Sequence, residues 1–291
     1  MRPVLSFFLL FASVVGGFFL NGGHPGLLWH PGEYIIVLGA AASIFLISYP
    51  FKVGFQAFGA IRHMIKPLYS PEKFEETLCL MAELKIHLEA NGSSGLDEHL
   101  NKPEASPLFQ RYPRVLKDKN AVSFIVDNFR LLETGTEQFM AHELEAIINA
   151  DIKSQYTESL TPSKAMSSLT EVMPSIGIVA AVLGMNVTMM FIDQEPAVVG
   201  AKIGAALFGT FLGIFSGYGV FYPLSAGLGK IAEQRREYLT VIKSFLMAMV
   251  NDYALFVTAE VARKQIQPGY RPDFQHLRNR IQEILTKANE S

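Results

Sequence analysis

Residues 171–228 read EVMPSIGIVAAVLGMNVTMMFIDQEPAVVGAKIGAALFGTFLGIFSGYGVFYPLSAGL, two apolar runs with only DQEPAVVGAK between them. Charge in this stretch is limited to Glu171, Asp193, Glu195 and Lys202. About 20 helical residues cross the roughly 30 Å of a bilayer's hydrocarbon. The stretch therefore reads as a hairpin of two membrane-spanning helices, about Glu171 to Ile192 and about Ile203 to Leu228.

A second such hairpin lies at the N-terminus. Pro3 to Leu20 carries no charge, and neither does Tyr34 to Phe51; the connection NGGHPGLLWHPGE is rich in the glycine and proline of turns. The first run is expected to be a retained span and not a cleaved signal peptide, because its flank offers no Ala-x-Ala signal and a second span follows at once. The expected organisation is a transmembrane hairpin over 1–51, a helical cytoplasmic domain over 52–169, a second hairpin over 170–228 and a helical cytoplasmic tail over 229–291. The fold class is all-α, a polytopic integral membrane protein with four spans.

Composition agrees. The chain is 49% hydrophobic and 18% charged with a mean hydropathy of +0.24, against about 25% charged for an ordinary soluble domain. Its net charge of −2 supplies no basic field, so nucleic acid is not an expected partner. The lone Cys79 excludes an intrachain disulfide and reads as a small buried apolar residue. Of 25 Lys and Arg, 13 fall between Lys52 and Lys164 and 10 between Lys230 and Lys287, which marks those stretches and both termini as cytoplasmic. Both hairpin loops then face outward, with Trp29 as an interfacial anchor, and the spans are surrounded by lipid.

The polar stretches read as helices. In Pro71 to Ala90, Phe74, Leu78, Met81, Leu84 and Leu88 recur at spacings of three and four, and Asn91-Gly92 stops the run. Asn120 to Leu132 and Thr136 to Lys153, with Thr136 as N-cap, repeat the pattern. Beyond the fourth span one continuous helix is expected as far as Pro268-Gly269.

Intramembrane charge usually marks an ion path, and the deep interior of these spans contains no Asp, Glu, His, Lys or Arg. An ion machine of this composition needs its carrier from another chain. Gly209, Gly213 and Gly217 make successive GxxxG steps on which a helix packs closely, either from this chain or from a partner. Pro174 and Pro223 sit near the cytoplasmic ends of their spans, as gates or as plain helix boundaries. Thr210 is a hydroxyl that could bond back to its own helix. His24 and His30 in paired HPG turns fall short of a zinc ligand set, so no metal or cofactor is expected.

The runs MPSIGIVAAVLGM (173–185) and LFGTFLGIFSGYGVFYPLS (207–225), with RYPRVL (111–116), FIVDNFRLL (124–132) and ELEAII (143–148), resemble the MotA family of flagellar motor stator subunits, in its longer, proton-driven branch. The resemblance implies a homopentamer around the two transmembrane helices of a MotB dimer, a 5:2 complex in which a MotB aspartate carries the ion and the cytoplasmic domain pushes the rotor protein FliG. By position it puts the gate prolines at Pro174 and Pro223, the channel threonine at Thr210 and the span-four tyrosine at Tyr218. Sodium-driven relatives have a threonine seven residues after the first gate proline, where this chain has Ala181. For the rotor-facing charges it puts Glu89 where the family has an arginine and an acid at Asp97, beside Glu98. Lys85, one turn before Glu89, either replaces the arginine or forms an ordinary i, i+4 pair.

The alternative is a proton-driven energiser of the ExbB/TolQ kind, whose chains usually have three spans. An enzyme is not expected, since no HExxH, GxSxG or phosphate loop occurs.

Overall fold

The computed structural model describes residues 2–65, 68–135 and 140–290. They are helical with short connections, and no strand occurs among them. In order they form α1 (Arg2–Leu20), a 3-10 turn (Pro25–Leu28), α2 (Pro31–Ser48), α3 (Phe51–Ile65), α4 (Pro71–Asn101), α5 (Pro107–Gln110), α6 (Pro113–Leu116), α7 (Lys119–Gly135), α8 (Ala141–Met189), α9 (Pro196–Ile214), a π-helical segment (Phe215–Phe221), α10 (Tyr222–Val250), α11 (Leu255–Gln265) and α12 (Phe274–Glu290). Four of them are long and apolar enough to cross a membrane: Pro3–Leu20, Pro25–Ser48, and stretches within Ala141–Met189 and Pro196–Val250.

Proline opens many of these helices. Pro31, Pro71, Pro107, Pro113 and Pro196 all stand in the first turn, where a missing N–H removes no intrahelical bond and φ is already helical. Ser70 and Ser106 cap two of them, their hydroxyls accepting from Lys73 N and Phe109 N at 3.3 and 3.4 Å. In α4, Gly92 adopts φ 64°, a conformation that only glycine takes readily, and two helical segments meet there. The proposed N-cap Thr136 lies outside the described residues.

Some helix boundaries differ from the sequence reading: α2 and α9 start at Pro31 and Pro196, ahead of their apolar runs. The helix of the 140s and the third span are one 49-residue helix, α8, uninterrupted at Pro162 and Pro174. The single helix expected after the fourth span ends at Val250 and restarts at Leu255. Asp252 takes the left-handed conformation (φ 61°), while Tyr253 N donates to Ala248 O at 3.0 Å and Asp252 N to Met249 O at 3.0 Å. This is a Schellman-type cap with aspartate in the place usually held by glycine.

The chain divides into two compact units, Met1–Pro67 with Glu158–Ala232, and Leu68–Thr157 with Glu233–Ser291. The second has a conventional core of leucine, isoleucine and phenylalanine side chains. At its centre is Tyr238, fully buried, whose hydroxyl shares a 2.6 Å hydrogen bond with Thr77 Oγ1. Lys73 is buried beside it over the rings of Tyr69 and Tyr238 and pairs with Asp118 at 2.6 Å. Burial pulls the Lys73 ammonium below its ordinary range, and Asp118 opposes that pull. Cys79 is buried in the same core, its thiol pushed up to about 12 chiefly by burial, so it stays protonated and unreactive. Glu83 holds the Tyr112 hydroxyl at 2.9 Å and Arg111 at 3.2 Å.

In the first unit the buried cluster is small, formed by Val37, Ala41, Ala57, Met166, Met173, Ala180 and their neighbours. Much of its apolar surface faces outward, with Leu5, Phe8 and Leu9 of α1 all more than 60% exposed. In α3, Val53 and Ala57 face in while Phe51, Phe55 and Phe58 face out, the one-sided pattern of a helix at a membrane surface.

Candidate functional site

The third and fourth spans meet along a seam of small residues. A methyl group added at Gly213 would lie 2.5 Å from Met173 O and 2.8 Å from Gly177 Cα. One at Gly217 would meet Pro174 Cδ and Thr170 O, each at 3.0 Å, and one at Gly209 would lie 2.9 Å from Ala180 Cβ. The Gly209, Gly213, Gly217 face therefore packs within this chain, against Pro174, Gly177 and Ala180 of α8. By contrast, Gly200 and Gly204 have nothing within 4 Å.

Pro174 has no N–H for the carbonyl of Thr170, and that carbonyl instead faces Gly217, where the absence of a side chain leaves room. Opposite it the fourth span widens into the π-helical segment, ending with Tyr222 N donating to Gly217 O. The wide turn comes directly before Pro223, whose ring would otherwise crowd the carbonyl four residues earlier. Tyr218 lies in this segment, 60% exposed, and Phe215 at its start makes an edge contact with Phe11 of α1 at 5.1 Å. Thr210 Oγ1 donates across the seam to Gly177 O at 3.5 Å and not back along its own helix. Ala181 is half-buried behind Gly209. Pro174, Ala181 and Thr210 thus line one seam with the three glycines, and Tyr218 and Pro223 follow at its π-helical end.

The seam also holds a group that sequence reasoning placed outside it. Glu33, read as the last residue of the outer loop, lies in the first turn of α2 and is only 9% exposed. A methyl at Gly209 would lie 2.6 Å from its Oε2, and one at Gly184 would lie 3.2 Å from its Oε1. What differs from the sequence reading is the start of α2, which begins at Pro31, three residues earlier than its apolar run, and carries Glu33 into the seam with it. The acid at the head of an apolar run was the available signal.

Ser163 and Ser225 form reciprocal bonds that the sequence reading does not contain, each hydroxyl donating to the other's carbonyl at 2.8 and 2.9 Å. They join α8 to α10 where small side chains again bring the backbones together, and the signal was a serine beside Pro162.

The rotor-facing candidates belong to the other unit. Lys85 is buried and pairs with the exposed Glu89 at 2.5 Å, so its charge is held against Glu89 and not presented alone. Asp97 and Glu98 are exposed on α4 beyond the Gly92 break. Among the described residues no three His, Cys, Asp or Glu side chains are grouped as a metal site.

This arrangement is that of an all-α protein with four membrane-capable helices and a close-packed proline- and glycine-bearing seam. Residues 4–92 match the family described as "Motility protein A N-terminal", and residues 121–240 match the "MotA/TolQ/ExbB proton channel family". Chemotaxis protein LafT of Vibrio parahaemolyticus is 33% identical, the match covering 95% of this chain and 97% of that protein. Motility protein A of Salmonella typhimurium is 29% identical over 98% and 96%. The solved structure of C. jejuni MotAB shares the fold, with a TM-score of 0.73 at 19% identity over 92% of this chain and 96% of that one. The chain belongs to the MotA family.

Proposed function

We propose that this chain is a stator subunit of the bacterial flagellar motor, forming with a MotB-like single-span partner a channel that converts proton flow into torque. The family supports the role. The observation that carries the division of labour is the chemistry of the seam: among the described residues its stretch around Pro174, Gly177 and Gly213 offers hydroxyl and carbonyl oxygens and no carboxylate, Glu33 lying at the other end against Gly184 and Gly209. An ion passing at that depth needs a charged carrier, because bare charge in hydrocarbon costs several kcal/mol or more. Five copies around two partner helices would supply it, with polar unit and termini on the cytoplasmic side, where 23 of the 25 Lys and Arg fall between Lys52 and Lys164 or Lys230 and Lys287. FliG would be met through Asp97 and Glu98, with Glu89 and its bound Lys85 alongside. The match to the N-terminal motility protein family over residues 4–92, which includes the first hairpin, favours this reading over an ExbB/TolQ-like energiser.

The working ion follows from Ala181. A bare alkali cation must replace its hydration shell with several oxygens, and alanine at this position removes one that a threonine would provide, leaving a proton as the carried species. The test is reconstitution in vesicles, with and without a co-expressed single-span partner bearing an intramembrane aspartate. Current is expected only with the partner and is expected to be independent of external sodium at fixed pH and potential. Robust current from the chain alone would overturn the subunit role, and a strong sodium dependence would overturn the proton assignment.

A further inference from the structure

Glu33 is nine-tenths buried, and its Oε2 has no hydrogen-bond partner. It stands in the first turn of α2, where a carboxylate ordinarily reaches back to the free amides of the helix start. No such bond forms: His30 at the N-cap makes no side-chain cap, and its Nε2 donates instead to Leu27 O at 3.1 Å. The carboxyl is turned into a notch that exists because Gly184, Ala206 and Gly209 are small. A methyl at Gly184 would already lie 2.8 Å from Ala206 Cβ. Level with Gly184, the notch lies about five residues, or roughly 7 Å of helical rise, from the end of α8 at Met189.

The groups around it are apolar. From α8 they are Ala180 and Gly184; from α9, Ala206 and Gly209, with Lys202 a turn away standing over the ring of Phe191 at 4.7 Å. Among the described residues, the titratable side chain whose charge bears on Glu33 is His30, its ring against Phe208 at 5.2 Å. An ionised oxygen without a donor in such a place is strongly disfavoured, whereas a neutral carboxylic acid fits it. We propose that Glu33 is a proton-binding site of this chain in its own right: it carries a proton when the head of α2 is docked between α8 and α9, and releases it when the head undocks into water. The site couples proton occupancy to the closeness of the outer end of the seam, and it stands on packing, independently of the stator reading.

Infrared titration of the full chain, co-purified with its partner and reconstituted, from roughly pH 5 to pH 9, tests it by reading the carboxyl directly. At neutral pH the wild type should show a protonated-carboxyl band that E33Q lacks and E33D retains. G209A, whose methyl takes the space of Oε2, should convert that band to carboxylate at the same pH. Superimposable wild-type and E33Q spectra, or an unchanged band in G209A, would overturn the proposal. A conducting complex with ionised Glu33 would overturn it and leave the stator reading standing; a protonated Glu33 in a complex that never conducts would do the reverse.

Discussion

The seam between α8 and α9 can be tested by adding the same methyl group at two glycines of one helix run. At Gly200 the new Cβ has nothing within 4 Å. G200A therefore changes only local helix preference, a gain of about 0.5–1 kcal/mol for alanine over glycine. At Gly213 the methyl would lie 2.5 Å from Met173 O and 2.8 Å from Gly177 Cα, both backbone atoms that no rotamer change can move aside. Reaching ordinary contact requires the helices to part by about 1 Å, and a gap of that size forfeits roughly a quarter to a half of the dispersion at each facing contact. Overpacking of this kind typically costs about 1–3 kcal/mol. Set against the same propensity gain, G213A should be net destabilised by about 1 kcal/mol at the middle of the two ranges and by up to about 2.5 kcal/mol at their extreme, a change of roughly five- to tenfold in the equilibrium for the central figure. Apparent unfolding midpoints of the detergent-purified variants, compared with wild type, should move in opposite directions. A G213A protein as stable as G200A would refute the close backbone contact.

Three further outcomes are expected. D118N leaves the buried Lys73 without its counter-charge, which should cost the second unit about 3–5 kcal/mol. That loss should ease as pH rises, because burial already holds Lys73 below its ordinary 10.5, so the unfolded chain binds the proton more tightly than the folded one; denaturant titration across alkaline pH reads both. His87, held below its ordinary 6.5 first by burial and then by His99, whose ring is 5.5 Å away, should make stability fall as pH drops below that value, since the unfolded imidazole takes up a proton the folded one resists. H87Q should flatten that acid slope, and an unaltered slope would show that other groups cause it. P174A supplies an N–H for the Thr170 carbonyl, and P223A removes the reason for a wide turn before it; both complexes should assemble but drive current and rotation poorly, and failure of both to assemble would show that the prolines serve packing alone.

Sequence by itself determined what depends on neighbours along one helix. Four spans follow from unbroken apolar length; the start at Pro71 follows from the apolar periodicity behind it; the Gly92 break follows from a residue without a Cβ. The end of α10 was less legible, because aspartate at Asp252 is a rarer left-handed residue than the glycine that usually marks such a cap. The tertiary structure alone decided which helix the glycine face meets, that Thr210 bonds across the seam, that Lys85 is buried against Glu89, and that Glu33 is enclosed. Periodicity reports that a face is small or apolar, but not what covers it. For Glu33 the covering residues are Gly184 and Gly209, some 150 and 176 positions away, and only their convergence removes water from a carboxyl that, read along the chain, belongs to a solvated loop.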